Sequence, residues 1–97
     1  MTTITIGKYY IKADGHSGYA ESGKDIVCAA ISTLIEATYN YLIATGSKIK
    51  KTDEDGLFII SAYVVNEAGK SIFHEFESMI KELALQYPSY IQILQLL

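Results

Sequence analysis

The sequence predicts an α+β fold: a mixed β-sheet of about five strands with two helices packed on one face, in the order ββαββαβ. Three observations carry this. β-Branched and aromatic segments stand at both ends and in the middle of the chain, two longer segments repeat apolar residues every three or four positions, and glycine, Asp-Gly or proline punctuates the joins. A helix with one apolar stripe and a sheet with one apolar face bury each other, which makes two layers the simplest solution.

Each element has its local reason. "TTITI" and "YYIKA", separated by Gly7-Lys8, read as a β-hairpin. From Asp25 to about Ala44, Val27, Ala30, Ile31, Leu34, Thr38, Tyr41 and Leu42 recur at helical spacing, and Gly46 ends the segment. "SKIKKT" and "LFIISAYVV" flank Asp53-Glu54-Asp55-Gly56, whose Asp-Gly end suits a hairpin turn. The acidic run at 53–55 reads as solvated turn chemistry. After Asn66, a second apolar stripe runs through Ile72, Phe73, Phe76, Met79, Ile80, Leu83 and Tyr87, and Pro88 stops it. The tail "YIQILQLL" alternates as a last strand does.

With 97 residues, 49% of them hydrophobic and 20% charged, the chain suits one compact domain spanning residues 1–97. A net charge of −3 with eight scattered basic residues argues against direct nucleic-acid binding, because neutralising phosphates needs clustered Lys and Arg. The eight tyrosines do not change this, since base-stacking platforms come with a basic groove. The single cysteine forms no internal disulfide, the N-terminus lacks a signal peptide's basic head and apolar run, and the uninterrupted apolar runs are too short to cross a bilayer. The expectation is a cytoplasmic protein with no membrane partner.

The chemistry concentrates in "GHSGYAESGKDIVCAA", residues 15–30. Cys28 falls in the first turn or so of the first helix, where unpaired N–H groups and the helix dipole favour thiolate over thiol. His16 lies twelve residues earlier, at the end of the second strand, and a reversal through Gly18 and Gly23 can return its imidazole to the sulfur. Asp25 is placed either to cap the helix or to orient His16, and Ser32 follows Cys28 by four residues on the same helical face. On residues alone, two readings stand. Free cysteine is often inert core packing; a helix-start cysteine with a glycine-flanked histidine suits a nucleophile and its base.

The stretch "GHSGYAESGKDIVCAAISTL" resembles the signature of the ribosomal-processing cysteine proteases of bacteria, where Gly-His-x-Gly-Tyr-Ala leads into Asp-Ile-Val-Cys-Ala-Ala. Ser17 stands where that family more often has Ala. The resemblance implies an α+β homodimer with Cys28 as nucleophile and His16 as base, and Asp25 and Ser32 match the family's Asp and Ser. It also implies a substrate, the short N-terminal extension of a large-subunit ribosomal protein, and a cleft lined by apolar groups with few charges. Gly15, Ser17, Gly18, Tyr19 and Gly23 are then the flexible, substrate-binding loop, mobile when empty and ordered over the peptide.

No cofactor is expected, and no metal site, because His16, His74 and Cys28 lack ligand spacing. His74 reads as a helix-surface or boundary residue. Two competing functions use the same features: a thiol-dependent hydrolase of another acyl substrate, and a non-catalytic module binding a peptide or ribosomal protein. The uncharged tail strand needs pairing or cover, which a homodimer supplies.

Overall fold

The structure is a computed structural model in which residues 1–21 and 23–96 are described; Ser22 of the glycine-rich stretch and Leu97 of the tail lie outside them. Seven elements follow in the expected order: β1 (Thr2–Gly7), β2 (Tyr10–Asp14), α1 (Ile26–Ala44), β3 (Lys48–Glu54), β4 (Leu57–Val64), α2 (Glu67–Gln86) and β5 (Ile91–Gln95). The strands form one sheet in the order β3-β4-β2-β1-β5, antiparallel except for the parallel pair β1–β5. The α+β expectation holds, including the mixed sheet.

Strands β1 and β2 bury alternate residues. Ile4 and Ile6 of β1, Ile11 and Ala13 of β2, Ile60 of β4 and Ile91 of β5 point to one face, where they meet Val27, Ile31, Ile35 and Leu42 of α1 and Phe76 and Ile80 of α2 in one apolar cluster. Fully burying a side chain of this size is worth about 1.5–3 kcal/mol, so this layer supplies the main driving force for the fold.

Several boundaries differ from expectation. The first turn is Lys8-Tyr9, not Gly7-Lys8, and Tyr9 takes a positive φ of 56°. Its ring packs against Phe73, and its carbonyl accepts from the Ala62 amide at 2.9 Å, contacts that offset the strain. Asp53 and Glu54 belong to β3, leaving Asp55-Gly56 as the hairpin turn. In α1 the buried position is Ile35, not Tyr41, which is 64% exposed; in α2 Met79 is half exposed. The stripe drifts because 3.6 residues per turn moves the buried face round the helix.

By length and composition alone α1, with 19 residues, is apolar enough to cross a membrane, although no uninterrupted apolar run within it is that long. Its polar residues break the uninterrupted run without lowering the average enough. In the fold Val27, Ile31, Ile35, Thr38 and Leu42 are buried, as in a core helix.

Candidate active site

The site forms where the β2–α1 loop, the start of α1 and the β3–β4 turn meet. Asp25 is the N-cap of α1, in extended conformation, and its Oδ1 accepts from the amides of Val27 at 3.0 Å and Cys28 at 2.9 Å. This is the reason an Asp precedes the helix: two otherwise unpaired donors are satisfied. The Ala29 amide bonds the Asp25 carbonyl at 3.1 Å, so three consecutive amides at the helix start are committed to Asp25.

Ser17 ties the loop to this cap. It is 2% exposed. Its hydroxyl donates to Asp25 Oδ2 at 2.5 Å and accepts from the Tyr19 amide at 3.2 Å, while its own amide donates to Cys28 Sγ at 3.2 Å. The Ala20 amide reaches Asp25 Oδ2 at 3.5 Å. Burial on its own would raise the Asp25 carboxyl; hydrogen bonds from the Ser17 hydroxyl, the Cys28 and Ala20 amides and the Cys28 thiol outweigh it and hold the group at about 2, against the ordinary 3.8.

Asp25 therefore acts as the cap. Its oxygens are taken by Ser17, Ala20, Val27 and Cys28, and the carboxylate that faces the imidazole is Asp55, whose Oδ1 lies 3.4 Å from His16 Nε2. Asp55 was missed in the acidic turn, where nothing local separates it from ordinary hairpin chemistry.

Two adjoining hollows of about 540 and 620 Å³ share His16, Cys28, Ser32 and Asp55. Cys28 is half-buried and Ser32 exposed. Gly15 lines the first hollow, and Gly18 and Gly23 the second. The structure thus brings His16, Cys28, Ser32 and three loop glycines to one cleft. Two loop residues point elsewhere. The buried Ser17 side chain faces Asp25, and the Tyr19 ring stands edge-on to Tyr87 and Tyr90, with centroids 5.8 and 5.2 Å away. Nor is the cleft poor in charge: Asp53, Glu54 and Asp55 line one wall, because β3 runs past α1 to the turn. Among the described residues no group of three or more His, Cys, Asp or Glu is arranged to hold a metal. His74 is exposed on α2 and lines a separate shallow hollow.

Residues 1–92 match the family model described as cysteine protease Prp. The ribosomal processing cysteine protease Prp of Mycoplasma genitalium is 32% identical over 95 residues, covering 96% of this chain and 94% of that protein. Among solved structures, the essential ribosomal processing protease Prp from S. aureus superposes with a TM-score of 0.92 in its complex with a covalently linked product peptide, at 23% identity over 99% of this chain and 100% of that one. In its complex with a substrate peptide the TM-score is 0.80, at 20% identity over the same shares. At those identities the superpositions speak for the fold, while the family model and the Mycoplasma relative speak for descent. The chain belongs to the ribosomal-processing cysteine protease family, Prp, and is a cysteine protease.

Proposed function

We propose that this protease removes the short N-terminal extension of a large-subunit ribosomal protein, with Cys28 as nucleophile and His16 as its base. The observation that carries the reading is the sulfur's setting: Sγ receives the Ser17 amide at 3.2 Å at the start of a helix, in a cleft it shares with His16. The N–H donor fixes where the sulfur sits in that cleft. The peptides bound to the S. aureus protease support a peptide substrate for a chain of this fold.

In the reaction His16 takes the thiol proton, Sγ bonds to the scissile carbonyl carbon, and the carbonyl oxygen becomes an oxyanion. Collapse of the tetrahedral adduct breaks the C–N bond, and protonated His16 gives its proton to the leaving amine. A water molecule, deprotonated by His16, then attacks the thioester and releases the new carboxyl end with regeneration of the thiol. The amides of Val27, Cys28 and Ala29 are occupied by Asp25, so the helix contributes its field, and the Ser17 amide, which donates to Sγ, is the candidate donor to the oxyanion.

The test is cleavage of a peptide carrying the extension and the first residues of the mature ribosomal protein. Cys28→Ala and Cys28→Ser should abolish cleavage while leaving the circular dichroism spectrum unchanged, and full activity in Cys28→Ala would refute the assignment. A cytoplasmic homodimer belongs to the same proposal. Leu94 on edge strand β5 and Leu96 just after it, each about half exposed, are the surface that motivates a partner copy, and the mass in solution decides it.

A further inference from the structure

We infer that the β3–β4 turn is a positioning device for the imidazole, with Asp55 as the residue that orients His16 and Gly56 as the surface on which the ring rests. The inference rests on the Cys28–His16 reading above. Two contacts meet His16 and a third holds its neighbour Gly15. Asp55 Oδ1 lies 3.4 Å from His16 Nε2. A Cβ built on Gly56 would come within 3.3 Å of Nε2 and within 4 Å of two ring carbons, so the imidazole rests close over Gly56 and a side chain there would press on it. Next to His16, the Gly15 amide donates to the Gly56 carbonyl at 2.8 Å and fixes the backbone from which the imidazole projects.

The sheet imposes this meeting. The antiparallel β2–β4 register pairs Asp14 with Leu57, so the residue after Asp14 and the residue before Leu57 bring Gly15 opposite Gly56. His16 then has the turn beside it, and Gly56, at φ 73°, supplies both the turn and the open space.

The chemical consequence concerns the two ring nitrogens. A carboxylate at ion-pair distance from Nε2 favours a ring that carries a proton there, and a neutral imidazole protonated at Nε2 has its lone pair on Nδ1. A base for the Cys28 thiol must present its lone pair to the sulfur, so Asp55 selects Nδ1 for that task and resists rotation of the ring. Both side chains are mostly exposed, 66% for His16 and 95% for Asp55, and solvent screens the charge interaction. The effect is therefore on orientation, and its size is that of an exposed pair at the upper end of its range, about 3- to 5-fold in rate.

A double-mutant cycle tests this with two readouts: alkylation of Cys28 by iodoacetamide, and kcat and KM on the extension peptide, using wild type, Asp55→Ala, His16→Ala, the pair, and Asp55→Glu. Asp55→Ala should slow alkylation and lower kcat about 3- to 5-fold at unchanged KM, Asp55→Glu should recover most of the loss, and Asp55→Ala should add nothing in the His16→Ala background. If His16→Ala slows alkylation but Asp55→Ala does not, the positioning role is overturned while the dyad survives. An effect on KM alone, or an undiminished effect in the His16→Ala background, overturns it in favour of direct contact with substrate or sulfur. If His16→Ala leaves alkylation unchanged, the dyad falls and the positioning role with it.

Discussion

Alanine at Gly15 and at Gly23 separates two reasons a loop can need glycine. Both residues have positive φ, 90° and 86°. An L-residue there costs about 1–2 kcal/mol, of which about 0.4–1 kcal/mol is returned by stiffening the unfolded chain. Around a Cβ at Gly23 no described residue beyond its chain neighbours comes within 4 Å, so Gly23→Ala should cost only that difference, about 1 kcal/mol. At Gly15 the Cβ would fall 2.9 Å from the Met1 backbone oxygen. That oxygen cannot withdraw freely, because the adjoining Thr2 amide is bonded to the Tyr90 carbonyl at 2.9 Å. Overpacking of this kind adds about 1–2 kcal/mol, for a total of roughly 2–3 kcal/mol. With about 4–8 °C per kcal/mol for a domain of this size, Gly23→Ala should lower the midpoint by about 4–8 °C and Gly15→Ala by about 10–20 °C, measured by circular dichroism under reducing conditions. If the Gly15 variant melts no lower than the Gly23 variant, the close approach to Met1 is not why glycine stands there, and mobility becomes the better account.

The loop and its cap make two further predictions. Asp25 has its folded value depressed to about 2, so the stability it contributes is fully present above its ordinary 3.8 and is lost as the pH falls through about 2. Wild type should therefore lose stability between pH 4 and 2 more steeply than Asp25→Asn, which retains a capping side chain; parallel melting curves across that range would refute the assignment. Amide exchange followed by NMR should find Ser17 and Tyr19 protected without peptide, since both donate within the site, and Ser17→Ala should release Tyr19. Rapid exchange of both in the empty wild type would favour the mobile cover expected from the glycines.

Much of this was legible in the chain. The apolar spacing of Phe76 and Ile80, or of Val27, Ile31 and Leu42, states which face each helix buries, because the helical period is a property of the backbone. Asp25 three residues before Cys28 offered capping as one of two roles, and the structure takes that one, its carboxylate reaching two amides. Tyr41 and Ile35 show where this ends: the edge of a stripe depends on the angle at which the helix crosses the sheet, and spacing alone does not contain that angle. Ser17 looked like a loop residue because glycines surround it, yet its hydroxyl is spent on the cap and its side chain is buried.

The sequence by itself determined the element order, the helix-start placement of Cys28 and, through the motif around it, the protease family, since all three depend on residues close together along the chain. Only the tertiary structure decided which carboxylate faces His16. Asp25 is nearer in sequence, but helix geometry turns its oxygens toward the amides of α1 and the Ser17 hydroxyl. Asp55 is thirty-nine positions beyond His16, and the β2–β4 register, a long-range pairing of backbone hydrogen bonds, carries it to the imidazole.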